Sequence, residues 1–409
     1  MAQLSNLPQT HDGVFLPGLL FVTMPFAGYL DATHHWYSTV AATAAIVVLM
    51  EKRTAARLAW AGFFWGLATC FAQSMILGLV ATGIFVVWEA RQDARGARAL
   101  RKQEASMFAA YAITLVALTG YIVWKVGFHR FFSETVVFVL KYYPADRFNS
   151  WSAYFVSRPS LHELLGGWAP WLGLPAYFLI HLLLPLIYAV FFYRYAKGSR
   201  DTYEQNWRRM MLVAGIGVGM LLTVASAASS ERLYTVSLPG LILLVCFLDS
   251  LAARGRTALR ALWALVAVLA VLAPLAIQTK ANRQLDLPTG RTAFVDSVSY
   301  EKTRWLSERT QPGDYFFGDQ SVSFTLRLRN PGRVEFVRPT DYTRPEQVAD
   351  LIRELEAHHV KFVSWYPGLD GRGFDPRTDH LGPLREYMGA HYHVAVRFAN
   401  GDKIWERDQ

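Results

Sequence analysis

Apolar residues in this chain come in runs rather than in strict alternation. Nine runs precede about residue 277: roughly 14–30, 36–50, 59–72, 74–88, 105–127, 168–193, 210–228, 235–250 and 260–277. A helix needs about 20 apolar residues to cross the hydrocarbon core of a bilayer. The pattern predicts a polytopic α-helical membrane protein with about nine transmembrane helices. Several runs are shorter than a full perpendicular span. The third and fourth are the shortest pair, and helices meeting below the outer surface would leave a wet recess there.

The pattern changes after Gln278. Residues 279–409 are charged and turn-rich, with no stretch long enough to cross. "TAFVD", "YFFG", "VEFV" and "KFVSWY" read as strands. "SYEKTRWLSERT" and "TRPEQVADLIRELEAHHV" read as helices, the second with Pro345 in its first turn. "VAVRF" and "KIWER" flank "ANGD", where Asn-Gly signals a hairpin. Alternating strands and helices predict a small α/β domain. The expected organisation is a transmembrane domain over 1–277 and an extracytoplasmic α/β domain over 278–409.

Composition strengthens the membrane reading. The chain is 53% hydrophobic and 18% charged, against about 25% charged residues in soluble globular chains. Thirteen Trp, 19 Tyr and 26 Phe are enough for interfacial belts. The net charge of +9 gains meaning from its placement. Loops after runs two, four, six and eight hold Lys52, Arg53 and Arg57; Arg91, Arg95, Arg98, Arg101 and Lys102; Arg194, Lys197, Arg200, Arg208 and Arg209; and Arg254, Arg256 and Arg260. Short loops rich in Lys and Arg stay in the cytoplasm. The expected topology is multi-pass in the plasma (inner) membrane, with a cytoplasmic amino terminus and an extracytoplasmic carboxyl-terminal domain. The basic residues then face membrane lipid, and no nucleic-acid partner is expected. Cys70 and Cys246 both fall in apolar runs, which argues against a disulfide framework. The opening "MAQLSNLPQTHDG" lacks the basic region of a signal peptide.

Three places carry candidate chemistry. In "FAGYLDATHHWYSTV", Asp31, His34 and His35 fall between runs one and two, at the expected outer mouth. A carboxylate or imidazole there can take a proton or orient an acceptor. A polar loop tip anchored by Trp36 and Tyr37 is the plain alternative. A His-His-Asp metal site is the third, with weak spacing; no cofactor is expected. In "SSERLYTVSLPG", Arg232 lies at the outer mouth of run eight beside Glu231 and Tyr234. A guanidinium there can grip a phosphate through parallel hydrogen bonds, or pair with Glu231 or lipid headgroups. The long outer loop, about 128–167, suits an amphipathic helix in the headgroup layer. Its Arg130 and Lys141 are further candidates for an anionic lipid carrier. His181, midway along run six, reads as a neutral histidine bonded to a neighbouring helix. "GFFWG", Gly62 to Gly66, reads as a packing face of small residues. P-loop, zinc, nucleophile-elbow and dinucleotide patterns are not found in the tail.

Together these residues resemble the membrane glycosyltransferases of the protein-mannosyltransferase type, family 39 and its aminoarabinose-transferase and oligosaccharide relatives, of GT-C architecture. "DATHHWYSTVAATAAIVVLMEK" looks like a helix starting at the outer face after a polar cluster. "RLAWAGFFWGLATCFAQSMILGLV" looks like that group's pair of short helices. "ERLYTVSLPGLILL" is similar to its Arg-Tyr-to-Pro segment, here Arg232 to Pro239, and "QPGDYFFGD" looks like the α/β domain of bacterial members. The resemblance implies transfer of a sugar from a polyprenyl-phosphate donor to an acceptor, with inversion, at the outer face. It implies a carboxylate base near the acceptor and Arg or Lys beside the leaving phosphate. Asp31, His34 and His35 are the candidates for the first role, and Arg232, Tyr234, Arg130 and Lys141 for the second. The family carries further helices and an acidic outer loop ahead of the matched region, so the chain reads as amino-terminally truncated relative to it. A basic residue often follows the first short helix, where this chain has Gln73. The alternative function is a non-catalytic membrane scaffold binding a partner through its outer domain. A transporter lacks paired Gly/Pro-broken helices in two halves.

Overall fold

The computed structural model describes residues 13–24, 33–92, 97–146, 149–150, 153–156, 178–198, 204–281, 283–371 and 373–408. These divide into two compact units. The first takes the residues up to Val136 and from Arg147 to Pro274; the second takes Val137–Asp146 and everything from Leu275.

The first unit is helical. Four helical stretches are long and apolar enough to cross a membrane: Gln73–Gln92, Lys102–Val126, Leu179–Ala196 and Arg254–Leu272. His34–Leu49, Ala55–Phe71 and Leu238–Asp249 have 16, 17 and 12 residues. At 1.5 Å per residue, each is shorter than the ~30 Å core. The nine apolar runs thus do not become nine full-length spans among the described residues. Ala72 ends the Ala55–Phe71 helix in an extended conformation, and one 3₁₀ turn, Gln73–Met75, leads into the next helix, Ile76–Gln92.

Small residues set how closely these helices approach. A Cβ on Gly62 would lie 2.0 Å from the Met107 carbonyl oxygen, and one on Gly66 would lie 2.7 Å from Thr114 Cβ. The Gly62–Gly66 face therefore packs backbone to backbone on the Ala97–Val126 helix. A Cβ on Gly78 would meet the Trp65 ring at 2.2 Å. Trp65 itself is fully buried and donates from Nε1 to Thr82 Oγ1 at 3.0 Å. The loop between the second and third helices is tied down by its backbone carbonyls. Arg209 Nε reaches Met50 O at 3.1 Å, Gln103 Nε2 reaches Arg53 O at 2.9 Å and Ser106 Oγ reaches Ala55 O at 3.0 Å. Arg53 Nη1 pairs with Glu89 Oε1 at 2.9 Å, with both side chains largely buried.

His181 lies in a π-turn, Leu179–Leu183, that runs into Leu184–Ala196. Pro185 has no N–H to give the carbonyl four residues back. That carbonyl belongs to His181, and the Tyr154 hydroxyl donates to it instead. The described start of the long loop is helical from Phe128 to Lys141, through one π-turn. Gly127, at φ 83°, ends the preceding helix, and Phe128–Phe132, a π-turn over Ser133–Val137, and Phe138–Lys141 follow.

The second unit holds a hairpin, β1 (Arg283–Leu287) with β2 (Gly290–Phe294), and a four-stranded sheet. The sheet order is β3 (Phe316–Phe317), β4 (Phe362–Trp365), β6 (Lys403–Arg407), β5 (Tyr392–Arg397), with β3 and β4 parallel and the rest antiparallel. "VEFV" has no regular secondary structure and joins no ladder, whereas Gln320–Leu326 forms a helix that the hydrophobic pattern did not suggest. Both sheet faces are covered. Phe316, Phe362 and Ile404 pack with Leu306, Val322 and Leu326; Phe317, Val363 and Trp365 pack with Val348, Leu351, Leu384 and Met388. Burial on both faces explains why "KFVSWY" reads as a continuous apolar run.

Lys302, 5% exposed, bridges Asp402 at 2.6 Å and Asp319 at 3.2 Å. Burial works against its charge. The hydrogen bond to Asp402 and the charge of Asp319 outweigh that, so its pKa is held above the ordinary lysine value. The pair of carboxylates ties the Ser297–Ser307 helix to the β5–β6 turn and to the cap of Gln320–Leu326.

Candidate functional site

His34 and His35 open the second helix of the first unit. Thr33, extended at φ −96° and ψ 158°, marks its start. The two imidazole rings lie close, with centroids 4.0 Å apart and planes tilted by 39°. Aromatic contacts fix the next residues: Trp36 meets Phe21 edge-on at 5.5 Å and Tyr37 meets Phe71 at 5.4 Å. Ser38 and Thr39 are buried; the Ser38 hydroxyl donates to the His35 carbonyl at 2.8 Å, and the single Thr39 hydroxyl hydrogen is shared between that carbonyl, at 2.9 Å, and a second one.

Arg232 comes from the short helix Ser230–Thr235, far along the chain. Its Nη1 donates to the Ala227 carbonyl at 3.2 Å, and its own carbonyl accepts from Thr235 Oγ1 at 2.7 Å. The two segments are joined by a buried bond. Thr39 Oγ1 approaches the Thr235 carbonyl at 2.9 Å, across 196 positions of sequence. That bond places Arg232 beside the histidines, closely enough for its charge to act on both.

The electrostatic result is specific. Burial lowers the His34 pKa, and the Arg232 charge lowers it further. His35 is pushed down to about 4, first by burial, then by His34 and Arg232. At neutral pH the imidazoles are uncharged and Arg232 carries the positive charge. An efficient general base has its pKa near the working pH, so His35 in this state is a weak base and a better hydrogen-bonding group. An anion placed beside Arg232 would cancel the repulsion and raise both histidines.

The other sequence candidates divide. Tyr234 is 6% exposed and belongs to the apolar core, with its carbonyl capped by Ser237 Oγ at 2.8 Å. Arg130 is exposed in the first unit and Lys141 is exposed in the second; neither is among the groups that shift the histidines. Lys141 instead lies over the Tyr142 ring at 5.0 Å. Asp31 lies outside the described residues, as does most of the loop beyond Val156. Among the described residues, no group of three or more His, Cys, Asp or Glu could hold a metal ion. Sequence reasoning missed Thr39 and Thr235, whose only signal was hydroxyls within apolar stretches.

No known family model matches the chain, and no curated protein matches it.

Proposed function

We propose that the first unit binds the phosphate of a polyprenyl-phosphate-linked sugar at the His34–His35–Arg232 cluster, and that the protein is a membrane glycosyltransferase of the GT-C kind. The observation that carries this reading is the joint action of Arg232 on two histidines that sit in close contact at a helix start. A guanidinium has five N–H donors in a planar fork suited to phosphate, and the Arg232 fork already gives one of them to the Ala227 carbonyl. The first turn of His34–Leu49 adds the positive end of a helix dipole. A lipid carrier keeps its tail in hydrocarbon, so its phosphate belongs where apolar helices end. In transfer, Arg232 stabilises charge growing on the leaving phosphate, while a carboxylate near the acceptor takes its proton. Asp31 is the residue assigned to that second role in this proposal.

Arg232→Ala should weaken binding of a polyprenyl phosphate to protein in nanodiscs by about 10- to 100-fold, the range expected for hydrogen bonds to a charged group. The same variant should abolish sugar transfer in cells while still inserting. Unchanged affinity would remove the phosphate role.

A second expectation concerns pH. His35 has a pKa of about 4 without ligand, and a bound phosphate raises it. Binding then takes up a proton. Affinity should strengthen as pH falls through the bound-state pKa and level off below about 4, and His35→Gln should flatten that slope. Each pKa unit gained is worth about 1.4 kcal/mol, or tenfold in affinity at the acid limit. A pH-independent affinity between pH 5 and 8 in the wild type would count against phosphate sitting beside His35.

A further inference from the structure

The first unit contains a groove of about 710 Å³ between the Ile76–Gln92 and Ala97–Val126 helices, well inside the range of ligand sites. Val80, Ile84 and Val87 line it from one helix and Phe108 from the other. Gly83 deepens it: a Cβ there would only come into ordinary contact with Phe108 and Met107, at 3.6 and 3.8 Å. Positions 80, 84, 87 and 91 share one helix face, as do 104 and 108 on its neighbour. The two charged residues of the groove, Arg91 and Glu104, therefore fall at the same end. From Val80 to Arg91 the helix rises about 16 Å, close to one leaflet of hydrocarbon, about 15 Å. Both helices contain a stretch long and apolar enough to cross a membrane. Among the described residues, neither Arg91 nor Glu104 makes an ion pair, although both line the same groove.

We infer that this groove is a binding site for a zwitterionic phospholipid with a primary ammonium, phosphatidylethanolamine. One acyl chain lies along Val80, Ile84, Val87 and Phe108. The headgroup phosphate meets the Arg91 guanidinium, and the ammonium donates to the Glu104 carboxylate. The charge pattern selects the headgroup. Phosphatidylglycerol would leave Glu104 facing an anion. Phosphatidylcholine has no N–H to donate. This site is separate from the phosphate-binding cluster, and its test reads no sugar transfer.

The experiment is native mass spectrometry of the full chain in mild detergent, offered equal amounts of phosphatidylethanolamine, phosphatidylcholine and phosphatidylglycerol with identical acyl chains. Wild type should retain phosphatidylethanolamine about tenfold over the other two. Glu104→Gln should erase that preference, Arg91→Gln should weaken retention of all three, and Gly83→Leu should displace lipid by filling the groove. Equal retention of the three lipids by wild type overturns the proposal, as does an unchanged preference in Glu104→Gln. If a variant fails to fold, the wild-type competition alone decides.

Discussion

Replacing Glu89 with alanine is expected to destabilise the first unit by about 3–5 kcal/mol, a large share of the 5–15 kcal/mol typical of a whole fold. Glu89 is 1% exposed, in the Ile76–Gln92 helix, and pairs with Arg53 at 2.9 Å. The Arg53 guanidinium also stacks on Phe85, 5.3 Å from the ring centroid. Two charges removed from water attract strongly only while both are present. Taking away the carboxylate removes the charge that faces the guanidinium at 2.9 Å, while the guanidinium stays largely buried against an aromatic ring. Removing both charges is different. Arg53→Met with Glu89→Met should recover most of the loss, because a well-packed apolar pair can match or exceed a buried ion pair. Thermal unfolding of Arg53→Met, Glu89→Met and the double variant forms a mutant cycle that isolates the pair. Additive losses would show that the two residues do not depend on each other. Since Arg53 also anchors the loop through its carbonyl bond from Gln103, the single variants should also loosen the 50–54 turn, readable as faster amide exchange there.

Gly62→Leu should prevent the protein from reaching its folded form, and even Gly62→Ala should cost about 3 kcal/mol or more. The added Cβ would sit 2.0 Å from the Met107 carbonyl oxygen and 2.9 Å from its carbon. Both atoms are backbone, so no rotamer change relieves the clash. The Ala55–Phe71 and Ala97–Val126 helices would have to move apart, giving up packing along their whole contact. Gly83→Ala is the matched control. Its new methyl would find side-chain atoms only at 3.6 and 3.8 Å, so that variant should melt close to wild type, helped slightly by helix propensity. The comparison is made by thermal melting in detergent. Equal melting temperatures for Gly62→Ala and Gly83→Ala would refute the close helix contact.

Several features of the fold were legible before any coordinates. The Gly62–Gly66 spacing announced a packing face, because three intervening residues return a helix to the same side. The Pro345 helix and the Asn-Gly hairpin of the second unit were also readable, since Pro favours a first turn and Asn-Gly favours positive φ; Gly401 indeed has φ 89°. Three readings were out of reach for physical reasons. "VEFV" has strand-like composition, but a strand exists only where a neighbour completes its ladder, and Val334 to Val337 have none. Gln320–Leu326 has no amphipathic length to announce it; it depends on Asp319 accepting from Ser321 N–H at 3.1 Å. The helical pattern of the long loop did not show the π-turn inside Phe128–Lys141, nor that Val137–Asp146 belongs to the second unit.

The candidate site shows the same division. The choice of His34, His35 and Arg232 came from polar residues standing between apolar runs, a property any window of sequence displays. Their meeting did not, because it depends on a hydroxyl at Thr39 finding a carbonyl 196 positions away. Nor did the unequal treatment of the histidines, since desolvation and the field of Arg232 act through space. By itself the sequence determined which segments are apolar, where the charged tail begins and which residue types could do chemistry, because hydrophobicity and turn preference are local quantities. Only the tertiary structure decided which helices touch, that Glu89 answers Arg53, and that Arg91 and Glu104 face one groove, because burial and charge pairing are set by neighbours that the chain supplies from elsewhere.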